Sequence, residues 1–117
     1  MTLIYAYQDR GLTRDIVIRD ADEAAITPGS NDNVRAIIGR LGDVAKLTVT
    51  GGSSTDNGSA FDKNFPTDGT NRLRLDASDL AAIEPGTYTL SIEFFDNADG
   101  AEWKNVERQI FSLEETT

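Results

Sequence analysis

The sequence predicts an all-β chain, an antiparallel β-sandwich of about seven strands with one short corner helix, and three observations predict it. Apolar and polar residues alternate in roughly five separate segments, the period-2 signature of strands with one wet face. Clusters of Gly, Pro, Asn and Asp punctuate the chain roughly every ten residues, the spacing of short strands joined by turns. No stretch carries a helical period beyond a turn or two.

Leu3–Tyr7 is a short apolar run, and residues 13–19 alternate with Ile16 and Ile18 inward, Asp9 and Gly11 breaking the chain between these first two strands. Residues 20–33 are polar and hold Pro28-Gly29 and Asn31-Asp32-Asn33, a loop expected to begin with a helical turn over 21–25. Residues 34–40 put Val34, Ala36 and Ile38 on one face; after Leu41-Gly42-Asp43, residues 45–50 do the same with Leu47 and Val49, which predicts a hairpin.

Residues 51–70 have no convincing period and are rich in Gly and Ser, which predicts a long flexible loop or an irregular hairpin. Asn57-Gly58 suits a tight turn, and Phe61 and Phe65 are the apolar anchors of the segment. Asn57-Gly58-Ser59 also has the form of a glycosylation sequon.

Residues 72–75 alternate again with Leu73 and Leu75 inward, and Asp76 or Ser78 can cap a short helical turn running to Ile83. Pro85-Gly86 turns the chain into the clearest strand of all, residues 87–95, with Tyr88, Leu90, Ile92 and Phe94 inward. Residues 96–100 make a tight connection to a last strand at 103–113. There Val106 and Ile110 fall on one parity and Phe111 and Leu113 on the other, so a bulge near Gln109 or burial on both faces is expected.

At 117 residues the chain is of single-domain size and can bury a core without a staple. It has no Cys and no His, which removes disulfides, thiolate chemistry and the commonest general base and transition-metal ligand. Catalysis would have to rest on carboxylates, Lys or Tyr. Twenty acidic against eleven basic residues give a net charge of −9, which repels nucleic-acid phosphates and anionic lipid. The N-terminal residues carry neither a basic leader nor a long apolar run, so neither a secretion signal nor a membrane span is expected, and the chain is placed in the cytoplasm or in a virion.

Several motifs admit a chemical reading beside a plainer one. Aligned on Gly100, an EF-hand loop would begin at Phe95 and end at Val106, neither a ligand, so residues 96–100 read as a hairpin connection. A calcium ion held between loops would draw on Asp20, Asp22, Asp32 or Asp99, although acidic clusters are usually a solvated surface. Asp76 with Asp79, and Glu93 with Asp96, are the candidate carboxylate pairs for glycoside hydrolysis. The first pair is better explained by helix capping. Trp103, the single tryptophan, could stack on a sugar together with Tyr5, Tyr7 or Phe95, or else close the sandwich beside the hairpin. Arg35, Arg40, Arg72, Arg74, Lys104 and Arg108 fall mostly at outward strand positions, where cross-strand acidic partners account for them.

Short strands, regular turns and a Tyr placed just after a Pro-Gly corner describe a sandwich of immunoglobulin type. Within the run Asp79-Leu80-Ala81-Ala82-Ile83-Glu84-Pro85-Gly86-Thr87-Tyr88, the pair Leu80 and Ile83 ahead of Pro-Gly-x-Tyr, and the closing Glu114-Glu115-Thr116, resemble the small immunoglobulin-like modules of tailed phages and prophages, among them the N-terminal domain of the baseplate upper protein. The likeness covers about the last 45 residues together with a matching number of strands upstream, and the Gly/Ser-rich segment after Thr50 departs from it. It implies a non-enzymatic structural or interaction module of a virion, without cofactor. The residues themselves place its contact with a protein partner or a second copy on segment 51–70 and an exposed strand edge, with Phe61 and Phe65 as apolar anchors and Trp103 as a further candidate. The alternative is a carbohydrate-binding or adhesion module; nucleic acid and membrane are not expected partners.

Overall fold

In sequence order the elements are β1 (Leu3–Tyr7), β2 (Leu12–Ile16), β3 (Asn33–Gly39), β4 (Leu47–Thr50), β5 (Ala60–Asp62), β6 (Asn71–Leu75), α1 (Ala77–Ala81), β7 (Gly86–Asp96) and β8 (Glu102–Glu114). The structure, a computed structural model, describes residues 2–98 and 100–115. The fold is all-β. A five-stranded sheet runs in the order β1-β8-β7-β3-β4 and a three-stranded sheet in the order β2-β6-β5. The strand beyond those read from the sequence is β5, inside the segment expected to be a loop or irregular hairpin.

One pairing departs from the antiparallel expectation. β1 runs parallel to β8, with Leu3 opposite Ile110 and Tyr7 opposite Glu114. Alternation reports which way a side chain points but is blind to strand direction, so a parallel edge strand reads like an antiparallel one. β1 and β2 therefore belong to different sheets, and the chain crosses between them at residues 8–11, where the Gln8 amide donates 2.7 Å to the Ile83 carbonyl.

The inward parities read from the sequence are those of one buried cluster fed by both sheets. Val34, Ala36 and Ile38 of β3, Leu90 and Ile92 of β7, and Phe111 and Leu113 of β8 meet Phe61 of β5 and Leu73 and Leu75 of β6. Leu80 and Ile83 close it at the helix corner. The corner itself is built as its residues dictate: Asp76 caps α1 by accepting 2.8 Å from the Ser78 amide, and the Tyr88 hydroxyl donates 2.6 Å back to the Glu84 carbonyl.

Two local expectations are corrected. The bulge of β8 falls at Val106 rather than near Gln109, because Ile92 faces Glu107 while Glu93 faces Asn105. Gln109 keeps the inward parity opposite Leu90, its amide held 2.8 Å from Glu107. Over 21–25 there is no helical turn: Asp20 Oδ1 accepts from the amides of Asp22 at 2.9 Å and Ala24 at 3.0 Å, a side-chain turn that competes with helix as short polar residues do.

Residues 54–60 are bridged at Ser54 and Ala60, with Gly58 in the turn at φ 98°. This turn is tied to α1 by one carboxylate. Asp79 accepts from Thr55 Oγ1 at 2.6 Å, Asn57 Nδ2 at 2.9 Å and Ser59 Oγ at 2.5 Å. Burial alone would raise the Asp79 carboxyl, but the donors of Ser59, Thr55 and Asn57 outweigh it and hold it below its ordinary value. The Asn57 amide nitrogen, the atom a glycan would occupy, is engaged in this cluster.

Candidate functional site

Strand register arranges the outer face of the five-stranded sheet in rows. At the hairpin end Trp103 stands opposite Phe95 and Phe95 opposite Asn33. The next row brings Asn105, Glu93, Arg35 and Thr50 together, and a later one sets Leu3 beside Ile110 and Thr89. The bulge at Val106 is what puts Trp103 on this face, since it shifts the parity of everything before it in β8. Trp103 is thus an outer-face aromatic, half-buried, and not part of the core.

Beside it opens a groove of about 480 Å³ lined by Trp103, Phe95, Asn33, Gly51, Asp32 and Lys63 among others. The Phe95 and Trp103 rings lie 5.5 Å apart at 55°, and the Arg35 guanidinium sits 4.3 Å from the centre of the Trp103 ring while pairing with Glu93. One face of the indole is therefore taken by a cation. Gly51 is a buried lining residue of the groove, where a Cβ would collide with Asn33 Oδ1.

The rim is fastened by two charged side chains acting on backbone. The Lys63 ammonium donates to the carbonyls of Asp32 at 2.6 Å, Gly29 at 2.7 Å and Ser30 at 3.2 Å. Asp32 accepts from the amides of Gly29 at 2.8 Å and Asn97 at 2.9 Å, and these two bonds, with the Lys63 charge, keep its carboxyl below the ordinary value against the opposing pull of burial. Three loops distant in sequence thereby form one edge of the groove. Asp32 and Asp20, considered above as calcium ligands, each bind backbone amides of nearby loops; Asp99 lies outside the described residues. Among the described residues no group of three or more His, Cys, Asp or Glu side chains is placed to hold a metal.

The three residues expected to meet a partner are scattered. Phe61 is fully buried, at 0% exposure, in the core under β5. The expectation that it anchors a partner is corrected, because strand pairing of β5 with β6 turns its ring inward opposite Leu73. Phe65 is 48% exposed, with the Arg72 guanidinium 5.2 Å from its ring centre. Trp103 lies in the groove. Of its suggested aromatic companions only Phe95 is beside it: Tyr5 and Tyr7 face Ser112 and Glu114, on the order of 30 Å away along β8.

The candidate carboxylate pairs are engaged with their own surroundings. Asp76 caps the helix, Asp79 holds the 55–59 turn, Glu93 pairs with Arg35, and Asp96 accepts 3.1 Å from the Ala98 amide. Cross-strand pairing also explains Arg72 with Asp15 and Arg74 with Asp62. Arg40 instead lies 4.5 Å over the Tyr88 ring. What sequence reasoning missed is the rim: nothing local marks Lys63 as a clamp for three carbonyls more than thirty residues away in the chain.

Among the described residues no helix is long and apolar enough to cross a membrane. No protein-family model matches the chain, and no curated protein matches it.

Proposed function

We propose that the chain is an immunoglobulin-like β-sandwich module that works by association, without catalysis, in the assembly or attachment apparatus of a phage or prophage virion. The strand order, the parallel first strand beside the last, the corner helix and the Tyr88 hydroxyl returned to Glu84 all support the fold half of this reading. The observation that carries the association half is the uncovered outer face of the five-stranded sheet, where Leu3 is 46%, Tyr5 59% and Ile110 37% exposed. Leu3 and Ile110 are cross-strand neighbours and Tyr5 follows on the same face of β1, so the three form one contiguous apolar patch, the kind of surface that marks a contact site. A net charge of −9 disfavours nucleic acid and anionic lipid as the other party.

Immunogold labelling of particles induced from the encoding strain, using antibody raised against the purified chain, tests the virion placement. Decorated particles support it; labelled cells with bare particles overturn it.

The groove beside Trp103 favours one second reading, a carbohydrate-binding module, because a half-buried indole and neighbouring polar groups suit a sugar ring. A glycan array probed with the wild-type chain and with Trp103→Ala separates the readings. Signal lost in the variant favours the sugar, and a blank array with the wild type removes it.

A further inference from the structure

We infer that the outer face of the five-stranded sheet is a self-association surface on which a second copy of this chain packs face to face. The two sheets differ in what their outer faces present. On the small sheet Asp15 pairs with Arg72 and Asp62 with Arg74, a lattice of exposed ion pairs that is well solvated as it stands. On the large sheet Leu3, Tyr5 and Ile110 are exposed side by side at the β1–β8 end, and the exposed polar side chains of the same face are Thr48, Thr87, Asn105, Arg108 and Glu114.

Area decides between the faces. The strands of the large sheet, of 5, 13, 11, 7 and 4 residues in spatial order, rise about 3.3 Å per residue and lie about 4.8 Å apart, which offers roughly 600 Å² per copy, so a pair covering the whole face buries about 1,200 Å², at the lower bound of a specific interface. The small sheet, with strands of three to five residues, offers roughly 250 Å² per copy, which is the size of an incidental contact.

Charge names the partner. The chain carries twenty acidic residues, yet among the described residues the carboxylates on this face are those of Glu93, paired with Arg35, and Glu114, which accepts from the Ser112 hydroxyl, so with Arg108 the face is close to neutral. Two chains of −9 repel wherever their acidic loops meet. Face-to-face docking of the large sheets keeps those loops at the periphery, where salt screens them within about 8–10 Å. An acidic partner of another kind would be drawn to this face by Arg108 and would be released by salt. A second copy should do the opposite and bind more tightly as salt rises.

This inference rests on the association reading but not on its virion setting. Sedimentation velocity over about 1 μM to 1 mM, the range a contact of this size spans, should carry the mass from 12.7 kDa toward twice that value, and further so in added salt. Ile110→Glu and, separately, Tyr5→Glu should weaken the pair at least tenfold, whereas Thr13→Glu on the small sheet should leave it unchanged. Circular dichroism confirms that each variant is folded; should Ile110→Glu fail to fold, Tyr5→Glu, at a more open position, decides the matter. A monomer at every concentration, or a dimer indifferent to both face variants, overturns self-association. A wild-type monomer that still decorates particles removes the dimer and leaves the virion reading standing, and a dimer on bare particles does the reverse.

Discussion

Ser59 and Asp79 stand 20 residues apart in the chain and are joined by a 2.5 Å hydrogen bond from the serine hydroxyl to the carboxylate. The same hydroxyl accepts 2.8 Å from the amide of Asp76, the cap of α1. The turn before β5 and the corner helix are therefore held as one piece, and this tie reinforces the ladder between β5 and β6 from outside both strands.

Asp79→Ala should destabilise the protein by about 2–4 kcal/mol, since three donors lose a charged acceptor and the Ser59 hydroxyl is left in a dry site. Urea denaturation measures it. A loss under about 0.5 kcal/mol would place the hold on this turn elsewhere.

Stability should fall in acid by a route that runs through the same carboxylate. Asp79 and Asp32 are held below their ordinary value of 3.8 in the folded chain, so below that range the unfolded state binds more protons than the folded one. Their contribution is complete above about pH 4–5 and is lost as pH drops through the folded values. Thermal midpoints taken between neutral pH and strong acid should decline there, and the decline should be shallower in Asp79→Asn.

Tyr88→Phe removes the bond to the Glu84 carbonyl while keeping the ring under Arg40. The expected cost is about 0.5–1.5 kcal/mol, that of one hydrogen bond. An unchanged denaturation midpoint would mean that the corner is held by Pro85 and the helix cap alone.

Phe61 and Phe65 should separate cleanly. Phe61→Ala empties a fully buried site and should cost about 3–5 kcal/mol. Phe65→Ala, at a half-open position against Arg72, should cost less than about 1 kcal/mol. Equal effects in parallel urea titrations would contradict this division of roles.

Much of the fold was legible because β7 and β3 each carry one wet and one dry face, and their inward residues announce it. The corner was legible for a different reason: capping, the Pro-Gly turn and a returning Tyr hydroxyl are all settled within a dozen residues. Phe61 was misjudged because residues 60–62 form a strand too short to show a period, and Gly and Ser on both sides gave it the look of a loop. The parallel course of β1 and the bulge at Val106 were hidden for a related reason. Each is a property of two strands at once, and neither strand contains it alone.

The all-β class, most inward faces and the lack of thiol and imidazole chemistry can be read from the residues alone, since they follow from residue type and from a period measured within a single segment. Folding was needed to place Trp103 on the outer face beside Phe95 and Arg35, to bring Lys63 onto a loop far from it in the chain, and to bury Phe61 in the core. Those outcomes depend on register, and register is chosen by hydrogen bonds and packing between segments that the chain brings together only when it folds.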